Sequence, residues 1–200
     1  MSIQDDIQQA YRNDQAATCV LLAEQWLRDN PDDLWVIFKY ASMLYQMTRY
    51  AEAIRVLEDA IEQFPDHRWG LFNTLGGLHR YRGDFPEAEK WFQRAIDEDP
   101  DEATSYIFLG AVQALQGKLQ EAEQTHRLAT QCQEGCIDEA FHNLGLVLRG
   151  QGRLPEAKAC FEKAIEIFSE YADAIEALQD VTTAINLQAS SVHDQLSEGE

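Results

Sequence analysis

Four side chains in the third quarter of the chain have the donor types of a zinc site: His126, Cys132, Cys136 and His142. Imidazole and thiolate ligands at short spacing suit tetrahedral zinc. The helical pattern around them sends His126 to an interior face and His142 to an outward one. Converging geometry is therefore not expected, and neither a metal nor a cofactor is assigned. Glu87 and Glu89 could be read as an acid–base pair, but both sit on the polar face of one helix, as solvated charges do. No phosphate-cradling glycine loop, nucleophile elbow or HExxH motif occurs. No residue is a candidate for catalysis, and the chain is expected not to be an enzyme.

The elements that carry these residues are helices. Of the 200 residues, 45% are apolar, and only 5 are Pro and 11 Gly. No run of 18 apolar residues occurs, so nothing spans a membrane by length. The start, Met1 to Asp14, is acidic and carries no secretory pattern. The cysteines, Cys19 and Cys160 among them, form no disulfide framework. Together these features lead us to expect a cytoplasmic protein. Net charge is −19. Residues 1–33 hold two basic and seven acidic side chains, and residues 172–200 hold six acidic and none basic. So acidic a chain is a poor partner for a polyanion, which argues against nucleic acid.

A repeat dominates the pattern. The segments TRYAEAIRVLEDAIEQFP, GDFPEAEKWFQRAIDEDP, GKLQEAEQTHRLATQCQE and GRLPEAKACFEKAIEIFS nearly superimpose, with Ala53, Ala88, Ala122 and Ala157 spaced 35, 34 and 35 residues apart. Upstream of each lies a second shared segment: IFKYASML, FNTLGGLH, YIFLGAVQ and FHNLGLVL. Ile37, Tyr40, Ala41 and Leu44 recur at helical spacing, as do Phe141, Leu144, Gly145 and Leu148. A small residue at the third of these places lets a neighbouring helix approach closely. Gly83, Gly117 and Gly152 then end the first helix in a left-handed cap, and Pro86 and Pro155 open the second.

These offsets match the tetratricopeptide signature, and the chain resembles that family over about residues 1–171. The resemblance implies an all-α fold: a right-handed α-solenoid of helix-turn-helix repeats with a C-terminal capping helix. The expected organisation is one solenoid over 1–188. It comprises a degenerate repeat at 1–33, repeats at about 34–68, 69–102, 103–137 and 138–171, and a capping helix at 172–188. An acidic, disordered tail is expected at 189–200. The fourth repeat departs from the pattern, with His126 in place of an aromatic and Glu134 in place of proline. RNA-reading pentatricopeptide arrays share the spacing, but they need basic grooves.

The family lines its concave face with the first helix of each hairpin, and the resemblance implies the side chains that point there. Those taken as a peptide- or protein-binding set are Trp35, Phe38, Tyr45, Asn73, Arg80, Ile107, His142, Leu146 and Arg149. Aromatic and Arg side chains are common interface anchors. Across all sixteen such positions the formal charge is +1, with Arg80 and Arg149 against Glu139. The favoured partner is therefore a neutral to acidic protein or peptide with apolar side chains. Trp35 and Phe38 could alternatively pack against the N-terminal repeat. The Lys/Asn clamp by which some family members grip a terminal carboxylate is missing, since its places hold Phe38, Ser42, Thr74, Thr104 and Phe108 in one register and Asn73, Gly77, Phe108, Glu139 and Asn143 in the next. The expected function is a non-catalytic protein-interaction scaffold or adaptor. The alternatives are a dedicated chaperone or inhibitor masking one partner, and a self-associating scaffold. A monomer or weak homo-oligomer is expected, without nucleic acid or membrane insertion.

Overall fold

The computed structural model describes the backbone of residues 2–197 and the side chains of residues 2–190. Among these residues it contains eleven α-helices: α1 (Ile3–Arg12), α2 (Ala16–Asp29), α3 (Leu34–Gln46), α4 (Tyr50–Gln63), α5 (Arg68–Arg82), α6 (Phe85–Glu98), α7 (Ala103–Leu115), α8 (Leu119–Ala129), α9 (Ile137–Gly150), α10 (Leu154–Ile167) and α11 (Ala172–Ser197). A 3-10 turn, Pro65–His67, leads into α5. The fold is all-α, an array of helix-turn-helix repeats of the tetratricopeptide solenoid type with a capping helix at its C-terminal end.

Local chemistry sets the helix ends. Ser2 and Asp5 form a reciprocal capping box at the start of α1, which satisfies two otherwise orphaned N–H groups. Asp33 caps α3 through a 3.1 Å bond from Val36 N–H, while its other oxygen accepts from Trp26 Nε1 at 2.8 Å and Gln4 Nε2 at 2.6 Å. Gly83, Gly117 and Gly152 end the first helices of three hairpins with φ of 82°, 76° and 77°. The preceding two hairpins make the same turn with Asp14 (φ 56°) and Thr48 (φ 60°). A left-handed backbone is costly for such residues, most of all for a β-branched one.

Within each of three hairpins a ring from the second helix lies over a glycine of the first. A methyl group on Gly76 would stand 2.6 Å from Phe92, one on Gly145 2.5 Å from Phe161, and one on Gly110 2.6 Å from His126. All three rings are buried. His126 therefore fills an aromatic slot, and the hairpin that carries it closes as tightly as its neighbours. Its following turn lacks proline and is held by pairing instead. Glu102 and Glu134 form an isolated parallel bridge, and Gln133 and Glu134 N–H both donate to the Asp101 carbonyl.

The chain divides into two compact units, Met1–Glu98 and Asp99–Glu200. The first is built on a core containing Ile7, Cys19, Val36, Ala41, Leu44, Leu57, Leu71, Phe72 and Leu75. In the second, Ala103, Ile107, Ala129 and Ala140 form one cluster, and Leu144, Leu148, Phe161, Ala177 and Val181 another. The second cluster explains the cap: α11 lays Ala174, Ala177 and Val181 against α9 and α10. The helix continues past residue 188, where the sequence predicts a tail, to Ser197. No Gly or Pro between 189 and 197 interrupts it, and residues 198–200 lie outside the described residues.

Candidate functional site

In the first unit, α3 and α5 carry five of the nine expected residues. Trp35 is 41% exposed and, with Gln4, Asp5 and Gln8 of α1, lines a cavity of about 280 Å³. The Lys39 ammonium lies 3.9 Å from the Tyr11 ring centroid and 5.6 Å from that of Trp35, within cation–π range. Phe38 is half-buried, its edge 3.8 Å from where a methyl on Gly70 would stand. Tyr45 belongs to an aromatic cluster, with ring centroids 4.9 Å from Tyr50 and 6.0 Å from Tyr81. Burial, reinforced by the two neighbouring phenols, raises the Tyr45 hydroxyl above its ordinary pKa. Arg80 lies over the Tyr81 ring at 4.8 Å. Asn73 is buried and donates through Nδ2 to the Trp69 carbonyl at 3.1 Å, so a helix carbonyl already holds one of its two amide N–H groups.

The prominent residue that sequence reasoning passed over here is Tyr81, 67% exposed beside Arg80. Its place one step beyond the Arg80 position was the available signal. Gly77 adds open space on the same helix, since a methyl there would have no heavy atom within 4 Å.

In the second unit the expected residues separate. Ile107 is only 2% exposed and packs with Ala103, Ala129 and Ala140. It is a core residue of the α7–α9 contact, not a ligand-facing one, because the small Ala140 leaves room for its branched side chain. His142 is also buried, its ring 5.0 Å from Tyr171 and 5.8 Å from Phe161. Its Nδ1 meets Tyr171 Oη at 3.3 Å, and burial lowers its pKa below the ordinary value. Arg149 is exposed but donates to Asp180 of α11 at 3.0 Å. His142, Arg149 and Asp180, with Leu146, Asp173, Glu176 and Ala177, line a cavity of about 380 Å³ whose rim is mainly acidic. The carboxylates of α11 could not be assigned to this place from spacing alone, because the register of α11 against α9 is set by packing.

A second cavity in this unit, of about 350 Å³, has no charged lining. Ala111, Ala114 and Leu115 of α7, His126 of α8, and Asn143, Leu146 and Val147 of α9 surround it. Among the described residues, no group of three or more His, Cys, Asp or Glu side chains is placed to hold a metal ion. None of the described helices is long and apolar enough to cross a membrane.

Models of the tetratricopeptide repeat match residues 32–97, 71–134 and 138–171. The chain belongs to the tetratricopeptide repeat family. Among curated tetratricopeptide proteins it is 26% identical over 163 residues to human tetratricopeptide repeat protein 7A, covering 79% of this chain and 19% of that relative. It thus spans about a fifth of that relative's length. The solved structure of TTC0263, a thermophilic tetratricopeptide protein of Thermus thermophilus, superposes with a TM-score of 0.66 at 21% identity, covering 91% of this chain and all of that one. The first tetratricopeptide domain of RPAP3, solved with the HSP90 peptide SRMEEVD, gives a TM-score of 0.56 at 19% identity over 60% of this chain and 94% of that one. These structural likenesses concern the fold.

Proposed function

We propose that the chain is a non-catalytic scaffold that holds a peptide segment or partner protein on the first-helix faces of its hairpins. A tetratricopeptide array is a protein-interaction framework, and its rigid hairpins leave little to be ordered on binding. The observation that carries the reading is the ring-rich, partly solvated face of α3 and α5, where Trp35, Tyr45 and Tyr81 stand with Arg80. A monomeric protein gains nothing in water from exposing such rings, whereas a partner that buries them does. No acidic side chain occupies the expected ligand positions of α3 and α5, so a neutral to acidic partner with apolar side chains is favoured. Four free thiols suit a reducing compartment such as the cytoplasm, and we take the working form to be a monomer or a weak homo-oligomer.

The test is affinity capture from a cytoplasmic extract, comparing wild type with Trp35→Ala/Phe38→Ala and with Arg80→Glu. Each variant is first checked for unchanged helicity. Loss of one defined partner from both folded variants is the expected result. Equal retention by all three proteins would sink the first-helix reading and direct attention to the acidic ends, where a basic partner masked by a dedicated chaperone would bind.

A further inference from the structure

The ligand face of α9 changes character once α11 is laid beside it. On the side of α9 toward α7 lies a groove of about 350 Å³, in which Ala111 and Ala114 face Leu146 and Val147. Its walls are mainly apolar. His126 is covered, 1% exposed with its unpartnered Nδ1 closed in, and Asn143 is half-buried. On the side toward α11 lies the cavity of about 380 Å³ with the acidic rim, and Leu146 is a wall of both. The two spaces are therefore neighbours across a single helix, roughly 8–10 Å apart as packed helices are.

Charge distinguishes them. Arg149 is engaged by Asp180 at 3.0 Å, and burial keeps His142 neutral. Asp173 and Glu176 are exposed and enter no ion pair among the described residues. With Asp180 they stand at i, i+3 and i+7 of α11, one face of the helix, and Ala177, 6% exposed, lies between them. The helix dipole favours carboxylates only in the first turn, which accounts for Asp173 but not for Glu176 or Asp180. The ligand positions of α9 alone are balanced, Glu139 against Arg149; with α11 in place the open charge is negative.

An apolar groove beside a negative cavity defines what fits. It is an apolar side chain and, two or three residues along an extended chain, a lysine or arginine. The same charge disfavours the occupants that this protein could itself supply. A second copy carries −19, and the chain's own end holds Asp194, Glu198 and Glu200 with no Lys or Arg after Lys163.

We propose that the second unit docks a partner segment that pairs one apolar side chain, in the α7–α9 groove, with one lysine or arginine in the α9–α11 cavity. The long stem of the basic residue lies along Ala177 while its charge meets Asp173 and Glu176, as amphipathic side chains do. The assignment rests on the first-helix reading of ligand binding and adds a basic residue to what the partner must carry. The charge preference drawn from α3 and α5 belongs to the first unit, where Arg80 stands without a carboxylate at the ligand positions.

The probes are two blocked peptides, acetyl-Leu-Ala-Lys-amide and acetyl-Leu-Ala-Ala-Lys-amide, with norleucine or glutamate replacing lysine in the controls. Each is titrated into the full chain while the methyl signals of Ala111, Ala114, Leu146 and Ala177 are followed by NMR. The expected result is saturable shifts on both sides of α9. The better lysine peptide should bind about fivefold more tightly than its norleucine control at low salt, the upper range for an exposed ion pair. That preference should fade as salt is raised. Asp173→Asn/Glu176→Gln leaves the Arg149–Asp180 pair in place, and it should keep helicity while abolishing the preference. Ala111→Leu should weaken lysine and norleucine peptides alike.

Equal binding of lysine and glutamate peptides, or no saturable shift with either lysine peptide, would overturn the proposal. So would a lysine preference that survives Asp173→Asn/Glu176→Gln, or binding untouched by Ala111→Leu. Signals of Ala111 and Ala177 that move with protein concentration before any peptide is added would give the groove to a second copy and overturn it too. Because these peptides and variants address the second unit alone, their failure leaves the capture test on Trp35 and Arg80 standing.

Discussion

Arg149 Nη1 of α9 donates to Asp180 Oδ2 of α11 at 3.0 Å, with both side chains well exposed. The cation expected to meet a ligand is thus already engaged by the helix that caps the second unit. Exposed pairs of this kind contribute only ~0.2–1 kcal/mol. A double-mutant cycle on Arg149→Ala and Asp180→Ala, read by urea unfolding, is expected to give a coupling energy in that range. A larger value would make α11 an integral part of the unit instead of a replaceable cap. The pairing also means that Arg149→Glu would disturb α11 as well as any ligand contact.

Gly76 and Gly77 are neighbours on α5 with opposite expectations. Gly76→Ala drives a methyl to 2.6 Å from the Phe92 ring, and overpacking of this kind costs about 1–3 kcal/mol. Gly77→Ala meets nothing within 4 Å and replaces a helix-interior glycine, which stabilises by about 0.5–1 kcal/mol. Urea midpoints that move in opposite directions for the two variants are the expected outcome.

Burial of neutral His126 links stability to pH. Its folded pKa of about 4 lies below the ordinary 6.5. Above pH 6.5 neither state is protonated at this ring, and the linkage vanishes. As pH falls from 6.5 to 4, the unfolded chain takes up a proton that the folded one refuses, so stability drops, by roughly 3 kcal/mol at full extent. Carboxylates with lowered pKa, such as Glu52 and Glu156 beside their arginines, also lose their contribution in acid. The comparison therefore has to be with His126→Phe. That variant should be more stable at pH 7 by about 1 kcal/mol and show a shallower decline between pH 6.5 and 4. Parallel curves would mean that folding does not hold the imidazole neutral.

Thr48 occupies a left-handed turn that Gly83, Gly117 and Gly152 fill in later hairpins. Thr48→Gly should remove a conformational cost of about 1–2 kcal/mol, offset in part by the greater entropy of glycine in the unfolded chain. A net gain in thermal midpoint is expected, and a loss would show that the Thr48 side chain contributes a contact worth more than the strain.

How far these features could be read before the fold depends on whether they repeat. The close approach at Gly76 and Gly145, the left-handed glycines and the alanines of the second helices recur at fixed offsets, so periodicity exposes them. Ile107 escaped because α7 is apolar on nearly every side, YIFLGAV, and spacing alone does not say which of its faces α9 covers. The contacts of Arg149 with Asp180 and of His142 with Tyr171 escaped for another reason. They join the last repeat to residues beyond its second helix that have no counterpart in the array, so no offset points to them. Thr48 could be aligned with the glycines, but its positive φ is a property of the backbone that a residue type so averse to it does not announce.

The ring-over-glycine fit has a consequence for how such a chain is inherited. The glycine lies in the first helix and the ring in the second helix of the same hairpin, as with Gly76 and Phe92 or Gly145 and Phe161. Loss or transfer of one helix alone would leave a ring facing a side chain, or a glycine facing a void. The hairpin, and not the single helix, is therefore the smallest length of sequence that can be copied, deleted or transplanted without repair.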